Sequence, residues 1–171
     1  MTELVGVYGA SGCGRGILPL VRDELQGQDC RLVFIDDGAS ASHINGHAVM
    51  RFDDFLKAPA TQRSACLAIA SPVVREKLAL KCEAAGVALR GTTARNVVIM
   101  DDVTIGPGAC LSPFVTFTSN IRVGKCFHAN LYSYVEHDCV IGDFVTFAPG
   151  AKCNGNIVIE EFAYIGSGAV I

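Results

Sequence analysis

Residues 135–158 read VEHDCV IGDFVT FAPGAK CNGNIV when the chain is divided into groups of six. Each group begins with an apolar residue, and its fifth residue is small or apolar. The fifth position of one group and the first position of the next lie two residues apart, so a β-strand points both side chains to the same side. A six-residue period of this kind predicts a parallel β-helix whose interior these positions fill.

The six-residue repeat continues in both directions from this stretch without an insertion or a deletion. The first positions are thirteen apolar residues spaced six apart from Ile99 to Ile171, and among the twelve fifth positions between them only Ser133 is polar. Glycine recurs at the second position, where a turn between short strands favours it. We therefore predict a β-helix over residues 93–171. Ile171 opens a new group with no capping segment, although repeat proteins normally close their ends, so we expect a truncated C-terminus.

Residues 1–92 show a different organisation, in which apolar runs alternate with helical patterns. We predict strands at residues 4–8, 31–35 and 66–70, and amphipathic helices at residues 17–26 and 73–85. Gly86 follows the second helix as a natural C-terminal cap. Strands that alternate with helices predict an α/β domain with a parallel sheet. The fold class expected for the whole chain is thus an α/β domain followed by a β-helix.

A glycine-rich turn, GASGCGRG at residues 9–16, joins the first strand to the first helix. Backbone N–H groups in such a turn can approach a diphosphate at the helix N-terminus. Asp36 and Asp37 follow the second strand, where a carboxylate can accept hydrogen bonds from ribose. Together these features predict a nucleotide site; the alternative is a tight turn without a ligand, since the spacing departs from G-x-G-x-x-G. NAD would fit this half alone, but a β-helix follows instead of a dehydrogenase substrate domain.

The composition argues against several classes of partner and location. The 171 residues carry a formal net charge of −3 with no basic patch, which argues against nucleic acid. Neither a secretory signal nor an apolar run of membrane-spanning length is present. The eight cysteines are scattered without a C-x-x-C pair. We interpret them as reduced core thiols of a cytoplasmic protein.

His137 stands at the third position of its group, at a corner that turns away from the interior. By resemblance to hexapeptide-repeat proteins of the left-handed type, three groups make one coil, so residues 18 apart stack. This places Ser119 below the imidazole and Gly155 above it. Glu136 and Asp138 flank the ring with carboxylates that would orient it and raise its basicity. These neighbours favour a general base over a histidine that is merely solvated in a turn.

Two other kinds of active site are not expected in this repeat: a Cys–His nucleophilic pair and a zinc site. Cys139 lies at an interior fifth position and points away from His137, so a Cys–His nucleophilic pair is not expected. Carbonic anhydrases of the gamma class also use this β-helix, but they need three histidines for zinc. Only His128 and His137 of the four histidines lie in the repeat, so we expect no metal site. His128, Thr146 and Tyr164 share the sixth position, 18 residues apart, and are expected to face outward.

The stretches GVYGASGCGRG at residues 6–16 and YVEHDCVIGDFVTFAPGAKCNGNIVI at residues 134–159 resemble the sugar O-acyltransferase family, which includes the sialic acid O-acetyltransferases. They are more similar still to its bacterial N-acetyltransferases of nucleotide-linked amino sugars. The resemblance implies a Rossmann-like domain that holds a UDP- or GDP-linked 4-amino-4,6-dideoxy sugar, followed by a left-handed β-helix. It also implies homotrimers with acetyl-CoA in the cleft between subunits, acting in the biosynthesis of surface glycans such as the lipopolysaccharide O-antigen.

Within this resemblance, the family's functional residues match individual positions of the chain. The general base matches His137, and the carboxylate that raises its basicity matches Asp138. The nucleotide-sugar contacts match Ser11, Gly12, Cys13, Asp36, Asp37 and Asn130, and the acetyl-CoA contacts match Thr146, Gly155 and Ser167. Thr146 departs from the family pattern, because many members carry histidine there.

The expected reaction is direct transfer. The sugar amine attacks the thioester, His137 takes the proton, and the Gly155 N–H stabilises the tetrahedral oxyanion. Two alternatives stay open. One is O-acetylation of a sugar hydroxyl such as that of sialic acid, and the other is a non-catalytic trimer that only binds the nucleotide.

Overall fold

The computed structural model describes residues 2–171, and its N-terminal part is an α/β unit around one sheet. Its elements are β1 (Glu3–Tyr8), α1 (Gly12–Glu24), β2 (Cys30–Ile35), β3 (His43–Ile44), β4 (His47–Met50), α2 (Phe52–Lys57), β5 (Arg63–Leu67), α3 (Pro72–Ala84) and β6 (Ala88–Leu89). The strands are ordered β3-β4-β2-β1-β5-β6, and every neighbouring pair is parallel except the β3–β4 hairpin. The predicted parallel sheet is confirmed. Within residues 2–171, no helix is both long enough and apolar enough to cross a membrane.

Some boundaries in this unit differ from the sequence prediction. α1 begins at Gly12 rather than at residue 17, because its first turn is built of glycines instead of the apolar residues that indicate a helix. A Cβ at Gly14 would overlap the carbonyl oxygen of Gly9, so the close approach of α1 to β1 requires glycine there. β5 ends at Leu67 instead of continuing to residue 70. The β3–β4 hairpin and α2 are absent from the prediction, since each is too short to show a period.

The C-terminal part is a parallel β-helix with three sheets of short strands. The first sheet contains β7 (Thr92–Thr93), β10 (Cys110–Leu111), β13 (His128–Ala129), β16 (Thr146–Phe147) and β19 (Tyr164–Ile165). The second contains β8 (Val98–Ile99), β11 (Thr116–Phe117), β14 (Tyr134–Val135) and β17 (Lys152–Cys153), and the third contains β9 (Val103–Ile105), β12 (Ile121–Val123), β15 (Val140–Ile141) and β18 (Val158–Ile159). Strand partners lie 18 residues apart, as His128 does from Thr146. The predicted β-helix and its stacking are confirmed.

The interior of the β-helix is filled by first and fifth positions, as the phase predicts. Phe117, Phe127 and Phe147 are fully buried and meet edge to face, with ring centroids 6.2 and 5.2 Å apart. Burying a side chain of this size contributes about 1.5–3 kcal/mol relative to exposure. Ser133, the polar fifth residue, donates its hydroxyl hydrogen to the carbonyl of Asn130 at 2.7 Å. It is therefore buried without an unpaired polar group.

The corners of the β-helix use a left-handed backbone conformation at the fourth position of each group. Every fourth-position residue from Asp102 to Gly168 has a positive φ, bulky ones such as Phe114 and Tyr132 included. Side chains at this position lie above one another in successive coils. The Phe114 and Tyr132 rings, for example, stack with their centroids 4.8 Å apart. Each corner therefore carries a column of side chains in contact with one another.

Arg75 of α3 joins the α/β unit to the first sheet of the β-helix. Its guanidinium is fully buried and donates to the carbonyls of Ile69, Cys126 and Phe144 at 2.7, 2.9 and 2.6 Å. It also donates to the Thr146 hydroxyl at 3.0 Å. Burial lowers the pKa of Arg75 to about 10, so the side chain is still charged at neutral pH. Carbonyl dipoles from both parts of the chain thus hold this cation and orient α3 on the β-helix.

His128, Thr146 and Tyr164 point away from the interior of the β-helix as predicted, but the first two are not exposed to solvent. All three belong to the first sheet, but the α/β unit covers that sheet and buries His128 and Thr146, whereas Tyr164 is exposed. The repeat pattern indicates which side chains point away from the interior of the β-helix. It does not show which of its faces another part of the chain will cover.

Candidate active site

His137 lies after β14, at the corner between the second and third sheets. Its side chain is 53% exposed, and its Nδ1 lies 2.8 Å from Oδ2 of Asp138. Because a carboxylate oxygen only accepts, Nδ1 donates in this contact, and Nε2 is the nitrogen whose lone pair the neutral imidazole leaves free. The corner therefore presents an oriented imidazole at the surface, in the arrangement that a general base requires.

The carboxylate of Asp138 is held by two hydrogen bonds. Oδ2 accepts from His137, and Oδ1 accepts from the side-chain amide of Asn120 at 3.0 Å. The bond from His137, followed by that from Asn120, lowers the pKa of the Asp138 carboxyl below its ordinary value. Asp138 therefore stays ionised beside the imidazole. Sequence reasoning missed Asn120, although its spacing of 18 residues from Asp138 is a signal that identifies it.

Gly155 lies one coil above His137, and its lack of a side chain makes room for the imidazole. A Cβ at Gly155 would come within 2.5 Å of Cε1 and 2.7 Å of Nε2 of His137. The Gly155 N–H makes no hydrogen bond to any residue of the described range 2–171. It is thus a hydrogen-bond donor close to the base, a place where an oxyanion can be stabilised.

A cavity of about 470 Å³ lies between the N-terminus of α1 and the first sheet. This is a typical volume for a small-molecule site. Gly12 and Cys13 of the glycine-rich turn line it together with Asn130, so the structure brings three of the predicted nucleotide-sugar residues together. His128 and Ser112 also line the cavity and are absent from the sequence prediction.

Two further residues predicted to contact the nucleotide-sugar lie at the glycine-rich turn but do not line the cavity. Ser11 is the exposed residue that precedes α1. Asp36 accepts hydrogen bonds from the N–H groups of Ala10 and Gly38, both at 3.0 Å. The Asp36 side chain therefore supports the backbone of the turn next to Gly12 and Cys13, which line the cavity.

Asp37 is engaged in a network of its own. Its Oδ2 accepts from the Tyr8 hydroxyl at 2.8 Å and from Lys81 at 2.9 Å, while its Oδ1 accepts from the Phe52 N–H at 2.8 Å. Partial burial would raise the pKa of Asp37, but the hydrogen bonds from Phe52, Lys81 and Tyr8 outweigh it and lower the pKa. A ribose contact at Asp37 would thus have to replace one of these bonds.

The residues predicted to contact acetyl-CoA are placed differently from one another. Thr146 is buried under α3, where its hydroxyl donates to the carbonyl of Ala70 at 3.2 Å and accepts from Arg75; its contact with acetyl-CoA stays a prediction. Ser167 is exposed. It lies on the corner between the first and second sheets, above Leu131, which lines the cavity.

The cavity and His137 occupy different corners of the same chain. Asn130 follows the first sheet and precedes the second, whereas His137 follows the second and precedes the third. His137 does not line the cavity. One chain therefore does not bring its own base to its own cavity.

The cysteines near the cavity are protonated thiols. Burial raises the pKa of Cys13 to about 11. A hydrogen bond with Cys66, followed by burial, raises the pKa of Cys110 well above its ordinary value. Neither is a thiolate nucleophile at neutral pH, and all eight cysteines are free. In the described part of the chain, no three His, Cys, Asp or Glu residues are grouped to hold a metal ion.

The chain is similar along nearly its whole length to known proteins. It is 46% identical over 172 residues to GDP-perosamine N-acetyltransferase of Escherichia coli O157:H7, which covers 99% of this chain and 78% of that protein. WeeI from Acinetobacter baumannii AYE has a similar structure, with a TM-score of 0.96 and 54% identity over 99% of this chain and 81% of that one. No protein-family model matches the chain.

A third similar structure was solved with a ligand. It is the acetyltransferase domain of PglB from Neisseria gonorrhoeae FA1090 in complex with acetyl coenzyme A. The TM-score is 0.88 and the identity 25%, over 99% of this chain and 82% of that one. The similarity includes the α/β unit and the β-helix alike, since so little of this chain lies outside it.

Proposed function

Because this chain belongs to the family of nucleotide-sugar N-acetyltransferases that includes GDP-perosamine N-acetyltransferase, we propose that it transfers an acetyl group from acetyl-CoA to the 4-amino group of a GDP- or UDP-linked 4-amino-4,6-dideoxy sugar. The observation that carries the proposal is the corner at which His137, Asp138 and Gly155 meet. The product is an N-acetylated sugar of the kind used in surface glycans such as the O-antigen.

The residues at this corner account for each step of a direct transfer. The amine nitrogen attacks the thioester carbonyl carbon, a C–N bond forms, and the Gly155 N–H donates to the oxyanion. Nε2 of His137 takes a proton from the attacking amine, and Asp138 stabilises the imidazolium. The C–S bond then breaks, and the departing CoA sulfur receives that proton. No acyl-enzyme is needed, in keeping with the protonated state of Cys13.

The two parts of the chain divide the binding of substrates. Residues 1–92 serve as a Rossmann-like nucleotide-sugar-binding domain, and residues 93–171 serve as a left-handed β-helix acyltransferase domain. The first N–H groups of α1 at Gly12 and Cys13 face a diphosphate, which the helix dipole also favours. Asn130, on the opposite wall of the cavity, contacts the sugar.

The separation of base and cavity supports a homotrimer. A three-fold axis sets the His137 corner of one subunit against the cavity corner of the next, and acetyl-CoA then lies in the cleft between them. Gly155 and Ser167 each lie on one of these two corners. Phe114 and Tyr132 are 51% and 63% exposed at the cavity corner, which offers apolar surface for the contact.

Mixing two inactive variants tests whether the site is shared between subunits. His137→Ala removes the base, and Gly16→Trp fills the cavity from a position whose Cβ meets nothing within 4 Å. In randomly mixed trimers, about a quarter of the sites pair an open cavity with an intact base from the neighbouring subunit. We expect about a quarter of the wild-type rate after co-refolding. A mixture as inactive as either variant alone would show that base and cavity come from one chain.

A panel of acceptors tests the reaction itself, with release of the CoA thiol as the readout. We expect release with GDP- or UDP-linked 4-amino sugars and an N-acetylated product by mass spectrometry. Release with a hydroxyl acceptor such as sialic acid, but not with an amine, would establish O-acetylation instead. Stabilisation by a nucleotide-sugar without any thiol release would establish a binding protein.

A further inference from the structure

Asn120 is the residue directly beneath Asp138 in the same corner column. The Asp138 N–H donates to the carbonyl of Ser119 at 3.0 Å, which fixes the two coils against each other at this point. The side-chain amide of Asn120 then reaches Oδ1 of Asp138 at 3.0 Å. Both carboxylate oxygens of Asp138 are thereby occupied, one by Asn120 and the other by His137.

We propose that Asn120 is a positioning residue for acetyl transfer, which holds the Asp138 carboxylate in the plane that orients the His137 imidazole. The inference rests on the proposed roles of His137 and Asp138. Asn120 itself touches neither substrate nor the imidazole. It acts by fixing the second oxygen of a carboxylate whose first oxygen sets the tautomer of the base.

Exposure is the reason that Asp138 needs such support. Its side chain is 48% exposed, and that of His137 is 53% exposed, so packing alone does not restrict their rotation. A carboxylate with one partner can turn about χ2 and exchange that partner for water. A second hydrogen bond from a residue on another coil removes this freedom and keeps Nε2 of His137 in a single direction.

The alternative role for Asn120 is purely conformational, and a second asparagine in the same column serves to test it. Its φ is +57°, a left-handed conformation that asparagine tolerates better than most residues. Asn156, one coil above Asp138 in the same column, has a φ of +61°. Its side chain makes no hydrogen bond to another residue within the described range 2–171. Asn156 is therefore the matched control for backbone effects.

Few other groups at this corner can influence the imidazole. The coil below presents Ser119 and the coil above presents Gly155 and Asn156, none of which titrates near neutral pH. Glu136 precedes His137 on its own coil. Asp138 is thus the carboxylate in direct contact with the imidazole, and Asn120 is the residue that contacts Asp138 from the neighbouring coil.

Two substitutions at Asn120 separate hydrogen bonding from backbone conformation. Asn120→Gly keeps the positive φ without strain and removes the amide. We expect a kcat about fivefold to tenfold lower at all pH values, with the KM for acetyl-CoA unchanged, because oriented base catalysis is partly lost. Asn120→Asp has the same size but brings a second negative charge to the dyad. We expect it to shift the acidic limb of the pH–rate profile upward by about half a unit, so that its loss recovers at alkaline pH.

Asn156→Gly is expected to leave kcat and the pH profile as in the wild type. Wild-type kcat and pH profile in Asn120→Gly would overturn the proposal, and so would equal losses in Asn120→Gly and Asn156→Gly. The tautomer of the His137 ring, measured by NMR, tests the contact without any turnover: we expect the Nδ1–H form to be less populated in Asn120→Gly than in the wild type and in Asn156→Gly. That change in a protein that transfers no acetyl group would refute the proposed function while leaving the positioning contact intact.

Discussion

Replacing His137 by alanine is expected to lower the rate of acetyl transfer by about 10²–10⁴-fold, the usual contribution of a positioned general base. The loss should fall on kcat, with the KM for acetyl-CoA nearly unchanged, because the imidazole takes its proton only in the transition state. Thermal stability should hardly change, since more than half of the side chain is exposed. Thiol release under saturating acetyl-CoA and a GDP- or UDP-linked amino sugar measures the effect.

His43→Ala provides the matched control for this experiment. His43 is exposed on β3 of the α/β unit, and its ring has one hydrogen-bond partner within residues 2–171, the neighbouring Ser42 hydroxyl at 3.3 Å. We expect its rate to equal that of the wild type. A His137→Ala enzyme that retained a rate within threefold of this control would rule out His137 as the base.

Gly155→Ala is expected to reduce kcat by about 10²-fold without unfolding the protein. The new Cβ would lie 2.5–2.9 Å from Cε1, Nε2 and Nδ1 of His137, which is closer than side-chain atoms approach one another. The exposed imidazole has room to move, whereas the backbone of Gly155 is held in the bend after β17, so the base is displaced from its hydrogen bond with Asp138. A misplacement of about 1 Å at a reacting group typically costs about this much.

Gly166→Ala is the control for adding a methyl group to the β-helix, because a Cβ there meets nothing within 4 Å. Steady-state rates and melting temperatures of both variants separate displacement of the base from loss of the fold. We expect the two proteins to melt within a few degrees of each other and to differ in kcat alone. Equal activity would mean that the ring of His137 does not need the space that the absent side chain of Gly155 leaves.

The β-helix and the His137 corner could be predicted from the sequence, because both depend only on spacing along the chain. The phase of the repeat places Phe117 inside and His137 outside, and an 18-residue step brings Gly155 over the imidazole. The same step from Asp138 leads back to Asn120. The amide was missed because asparagine at a turn is so often explained by backbone conformation alone.

The contacts between the two parts of the chain could not be predicted in this way. Burial of Thr146 depends on α3 and on the guanidinium of Arg75, which lies 71 residues away in the sequence. The six-residue pattern carries no information about where the α/β unit packs on the β-helix. For the same reason, His128 reads as an outward residue in the repeat and yet lines a cavity closed by α1.

The eighteen-residue coil also limits how the length of this protein can change. A deletion of six residues between Asp138 and Gly155 would keep every apolar side chain inside, since the interior repeats every six positions. It would nevertheless advance the later residues by one face and set Glu161, instead of a glycine, above the imidazole of His137. The hydrophobic core therefore accepts changes in units of six, while the active corner needs an unchanged number of residues between His137 and Gly155. Insertions that preserve activity are expected outside this coil as complete coils, or as loops that leave a corner and rejoin it in the same frame.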